Sequence, residues 1–97
     1  MDIKKIREKI DGVDQKILDL ISERFNLLPD ILKYKVDNNL PIQDKDREKE
    51  ILRNKTKKAL ALGISPNFVR NLFKKILAES VRIQKENFKK SKNGKKK

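Results

Sequence analysis

The apolar residues of the first third of the chain recur at alternating intervals of three and four: Ile3, Ile6, Ile10, Val13, Ile17, Leu20, then Leu27 and Ile31. That spacing lays them along one face of an α-helix, predicted to run from Ile3 to Val36 with Asp2 as its N-cap. Asn38, Asn39 and Pro41 mark the loop that ends it. At about 1.5 Å per residue the helix is about 50 Å long. In a chain of 97 residues it cannot fold back on its own domain without leaving one end uncovered. Two residues oppose it. Gly12 weakens a helix by about 1 kcal/mol relative to Ala. Pro29 removes the hydrogen bond to the carbonyl of Phe25 and should kink the helix. Packing against other elements or another subunit must supply the difference.

Two further helices account for most of the rest. The second opens in "QDKDREKEIL", where Asp44 and Asp46 suit a first turn, and runs to about Leu62 with Gly63 as a terminator. The third begins in "ISP", with Ser65 as N-cap and Pro66 at the first helical position. Its apolar face is Val69, Leu72, Phe73, Ile76 and Leu77, with Ile83 and Phe88 beside it. No segment alternates with the period of a strand, and there is no internal repeat. The fold class is all-α, three helices with a long first one.

The pattern is broken where it matters most. Continuing the first helix's three-four alternation puts Arg24 and Lys35 where apolar residues are expected. They are eleven residues apart, three turns plus about 20°, so they share a face with Cα atoms about 16 Å apart. Snorkelling of each stem along apolar surface is the bland account of either one. It is a poorer account of both, because the third helix shows the same interruption with Ser80 and Gln84 at i,i+4, and unpartnered buried cations are costly. In "DKDRE", Asp44, Arg47 and Glu48 stand at i, i+3, i+4 on one face, which a local ion pair in an acidic first turn also explains. Arg7 lies about 25 Å along the helix from Arg24 and is rotated by about 100°, so it cannot grip the same small molecule within one straight chain. An antiparallel copy of the helix would bring a second chain's Arg7 alongside.

Composition narrows the chemistry. With no Cys and no His there is no disulfide, no thiol nucleophile and no zinc site of the usual ligand types. The charged start "MDIKKIREKI" is neither a signal peptide nor a membrane span, so a cytoplasmic protein is expected. The net charge is +12, and the last nine residues, "KKSKNGKKK", hold six lysines and no acid. Residues 89–97 are therefore expected to be a disordered lysine-rich tail on a domain of residues 1–88. The remaining excess still favours an anionic partner. A basic nucleic-acid-binding protein is disfavoured: no zinc-finger, RRM or KH signature is present, and the basic residues singled out lie on apolar faces rather than exposed ones.

Taken together, "IREKIDGVDQKILDLISER", "KYK", "PIQDKDREKEIL" and "ESVRIQ" resemble the all-helical chorismate mutases of aromatic amino-acid biosynthesis, in their bacterial, monofunctional form. The resemblance extends over residues 3–88. It implies an intertwined helical homodimer whose active sites each take one arginine from the other subunit, here Arg7. It implies Arg24 and Arg47 as carboxylate-binding arginines, and Lys35 as the contact to a carboxylate and the ether oxygen. Asp44 and Glu48 would be the acidic pair around the ring hydroxyl, with Ser80 and Gln84 the polar pair of the last helix. The implied activity is an isomerase reaction, chorismate to prephenate by a unimolecular Claisen rearrangement, without metal or cofactor. Lys35 and Gln84 are the implied catalytic donors. The related isochorismate pyruvate-lyases share the basic residues and the glutamine, and the acidic pair argues for the mutase.

Overall fold

A computed structural model describes residues 2–95, with side chains as far as residue 91. Its helices are α1 (Ile3–Asn26), α2 (Leu28–Asp37), α3 (Lys45–Ala61) and α4 (Pro66–Lys95), and there is no strand among the described residues. The expected long first helix is α1 and α2 together, divided at Leu27. Pro29 explains the division. It has no N–H to return to Phe25, and the amide of Leu27 bonds back only three residues, to Arg24 O at 3.2 Å. Pro29 then sits in the first turn of α2, where its fixed φ costs nothing.

Local chemistry sets the other boundaries. Asp2 caps α1 by accepting from Lys5 N at 2.9 Å, and Asp44 caps α3 by accepting from Arg47 N at 3.0 Å. Ser65 Oγ accepts from Phe68 N at 3.3 Å at the head of α4. Both α2 and α3 end in the same motif, a left-handed residue followed by an amide that reaches back five. At Gly63 (φ 71) Ile64 N bonds Ala59 O at 2.9 Å; at Asn39 (φ 56) Leu40 N bonds Lys35 O at 2.8 Å. Helix α4 continues to Lys95, beyond the residue-88 boundary expected for the tail. Lys96 and Lys97 lie outside the described residues.

Packing is uneven. Helices α3 and α4 form a hairpin, and α2 lies against the far half of α4. Leu28, Leu32, Ala59, Val69 and Leu77 are the apolar side chains this arrangement buries. On α4, Phe73 and Ile76 are half-buried, while Leu72 and Phe88 remain exposed. Helix α1 buries no residue at all. Ile10, Val13 and Ile17, the middle of its apolar stripe, are 52, 53 and 51% exposed. The radius of gyration, 17.5 Å, exceeds the roughly 12.5 Å of a compact chain this long. The arm that α1 makes ends where the pocket begins.

Candidate active site

A cavity of about 510 Å³ begins beside the break at Leu27 and lies between α2, the loop before α3, α3 and α4. Its apolar walls come from Leu27, Leu28 and Ile31 on one side and Ile51, Leu77 and Val81 on the other. Seven of the eight residues singled out in the sequence line it: Arg24, Lys35, Asp44, Arg47, Glu48, Ser80 and Gln84. They come from all four helices and the loop, so no local rule of spacing brings them together. Arg7 is exposed on α1 and does not line this cavity.

The polar groups form two linked sets. Arg24 Nη1 donates to Ser80 Oγ at 2.8 Å, and that hydroxyl donates in turn to Ile76 O at 2.8 Å. Lys35 Nζ donates to Gln84 Oε1 at 2.9 Å and to the carbonyl of Ile42 at 2.6 Å. The Gln84 amide nitrogen donates to Ser80 O at 3.1 Å. Ser80 and Gln84 are nearly inaccessible, at 5 and 4% exposure. Each donor still has capacity to spare. An ammonium has three N–H groups and an amide nitrogen two, so Lys35 and Gln84 each keep one for a ligand.

Charge is left over as well. Arg24 and Lys35 are half-buried, and neither forms an ion pair among the described residues. Burial pushes the Arg24 guanidinium below its usual range, and the nearby Arg47 pushes the same way. Burial lowers the Lys35 ammonium too, partly offset by Asp44 and Glu48. A bound anion would relieve both groups. Arg47 pairs with Glu50 one turn on, and Glu48 accepts from Gln43 Nε2 at 3.2 and 3.4 Å. The sequence reading missed Gln43, Glu50 and the Ile42 carbonyl. Glu50 was legible as the i+3 partner of Arg47; a main-chain acceptor such as Ile42 O carries no side-chain signal. No cluster of His, Cys, Asp or Glu suited to a metal ion occurs among the described residues.

Such a site suits a small anion held by cations and oriented by hydrogen bonds. The family model described as chorismate mutase type II matches residues 6–85. A chorismate mutase of Methanocaldococcus jannaschii is 33% identical over 93 residues, covering 96% of this chain and 94% of that protein. Bifunctional chorismate mutase/prephenate dehydratases of Buchnera aphidicola subsp. Acyrthosiphon pisum and of Escherichia coli are 36 and 33% identical, over 87 and 81% of this chain. The chain spans only about a fifth of the length of those two-function relatives, 22 and 20%. With the match extending over most of its length, the chain belongs to the type II chorismate mutases.

Proposed function

We propose that this protein converts chorismate to prephenate by a [3,3] rearrangement, as a cofactor-free homodimeric isomerase of the cytoplasm. The observation that carries the reading is the single cavity lined by Arg24, Lys35, Arg47, Asp44, Glu48, Ser80 and Gln84. The reaction breaks one C–O bond and forms one C–C bond within one molecule, so no nucleophile or redox group is required. Two sources of rate remain. Cations that fix both carboxylates select the compact chair from a mostly extended population. Donors aimed at the ether oxygen stabilise charge that builds as the C–O bond lengthens.

The residues divide between these tasks. Arg24, held by Ser80, and Arg47 take carboxylate. The spare N–H of Lys35 and that of Gln84 serve the ether oxygen, with the Ile42 carbonyl and Gln84 Oε1 holding the ammonium in place. Asp44 and Glu48 receive the ring hydroxyl. Gln84 donates in any protonation state, unlike a carboxylic acid at that position.

The homodimer is supported by what one chain leaves undone. Its accessible surface is 8176 Å², against roughly 5,800 Å² for a compact monomer of this mass. The bare stripe of α1 is part of that excess, and Arg7 lies on the same helix and does not line its own chain's cavity. A second copy packed along α1 would cover the stripe and carry Arg7 to the partner's site. No helix of the described residues is long and apolar enough to cross a membrane, so that stripe is not a spanning segment. The direct test is loss of chorismate absorbance with the product identified as prephenate. Isochorismate offered in parallel should yield no salicylate and pyruvate. Their appearance as the dominant products would overturn the mutase assignment.

A further inference from the structure

The cleft does not end at Arg24 and Arg47. Both side chains also line an adjoining recess of about 360 Å³ that follows α3 outward and is completed by Glu50, Asn54, Lys55 and Phe73. Three cations face this recess and one carboxylate, and Arg47 already occupies that carboxylate. Lys55 forms no ion pair among the described residues. Its ammonium lies 5.8 Å from the centroid of the Phe73 ring, a contact that favours this position and leaves its charge available.

The helix itself gives no reason for a lysine here. Residues 51, 55 and 59 share a face of α3, and the flanking members are a half-buried Ile51 and an Ala59 that is 2% exposed. Lys55 therefore interrupts an apolar face, as Arg24 and Lys35 do. We infer that Lys55 is a further substrate-affinity residue, raising the positive potential where Arg24 and Arg47 receive the substrate's carboxylate, without contacting the reacting bond. This rests on the mutase reading and adds to the residues on which that reading stands. A single charge at roughly 10 Å in a wet cleft changes the affinity for a dianion by about three- to tenfold, and salt screens it.

The test is steady-state kinetics on the full chain with chorismate. Lys55→Gln should raise KM about three- to tenfold at low ionic strength and leave kcat within about twofold, as expected for charge acting through space. Lys55→Arg should retain the wild-type KM, and salt at about 0.5 M should shrink the difference between wild type and Lys55→Gln. Lys57→Gln, on the exposed face of the same helix, controls for net charge and should leave KM unaltered. An unchanged KM in Lys55→Gln overturns the assignment, as does an equal rise in Lys57→Gln. A parallel fall of kcat and Tm in Lys55→Gln overturns it in favour of a structural role. A wild type without mutase turnover overturns the functional reading beneath it; an active wild type whose KM ignores Lys55→Gln overturns this inference alone.

Discussion

At the scale of single residues the site depends on donors held in place before substrate arrives. Lys35 and Gln84 are bonded to each other at 2.9 Å, so each positions the other. Replacing either by alanine should lower kcat by about 100- to 1,000-fold, the usual cost of a lost donor to a developing oxyanion. The helical circular-dichroism signal should stay intact; near-normal turnover would remove both from the ether oxygen. The direction of the Lys35 shift sets the expected pH dependence. Burial lowers its pKa below the ordinary lysine value of 10.5, so the ammonium proposed to serve the ether oxygen loses its proton at a lower pH than a surface lysine would. The kcat/KM profile should be flat near neutrality and fall on the alkaline side with a midpoint under that value. Lys35→Arg should abolish that limb whatever its effect on rate, because a guanidinium stays protonated there. Gln84→Glu should convert the flat region into activity that rises only as the pH falls, since a carboxylate cannot donate until it is protonated.

The element that decides the geometry is the break between α1 and α2. Arg24 lies in the last turn of α1 and Lys35 in the last turn of α2, so the break at Leu27 separates the cation that bonds Ser80 from the one that bonds Gln84. Pro29→Ala would restore an N–H able to reach the carbonyl of Phe25 and favour one continuous helix. The expected result is helical content equal to or above wild type, with kcat/KM reduced tenfold or more. A displacement of about 1 Å in a catalytic group can cost on the order of 100-fold. Unchanged kinetics in Pro29→Ala would show that burial of Leu28 and Leu32, not the proline, sets the geometry of this segment. The loop after α2 is a second local control. Its left-handed Asn39 lets Leu40 N cap α2, and the chain then delivers the Ile42 carbonyl to Lys35.

On the scale of the whole molecule, one chain leaves the apolar stripe of α1 uncovered. Half-exposed isoleucine and valine side chains each stand to gain roughly 1 kcal/mol on burial, half the value for a fully exposed one. In the proposed dimer two copies of the α1 stripe would be buried against each other. Ile10→Asp with Ile17→Asp should therefore give a monomer in sedimentation, with reduced helicity and no measurable mutase activity. Retention of the dimer would place the interface elsewhere. Arg7→Ala and Lys35→Ala homodimers should each be nearly inactive. Mixed under conditions that exchange subunits, they should recover up to about a quarter of wild-type activity, because half the molecules are heterodimers with one intact site of two. Heterodimers shown to form without any recovery would mean that Arg7 does not act across an interface.

Much was determined by the order of residues alone. Period, caps and terminators are local properties, so the helices, the capping roles of Asp2 and Ser65, the stop at Gly63 and a disturbance of the first helix by Pro29 were all legible from intervals of a few residues. The polar interruptions were legible too, because a cation on an apolar stripe contradicts its surroundings whatever the fold. What remained for the tertiary structure was convergence. Residues 24, 35, 44, 47, 48, 80 and 84 meet around one cavity only because α2 and α3 both pack against α4 and the loop joins them there, and that packing involves segments far apart in the chain. The same holds for the Ile42 carbonyl and for Lys55, whose significance comes from Phe73 and the two arginines opposite, not from its neighbours in sequence. Periodicity states which face a side chain occupies; only the packed molecule states what that face meets.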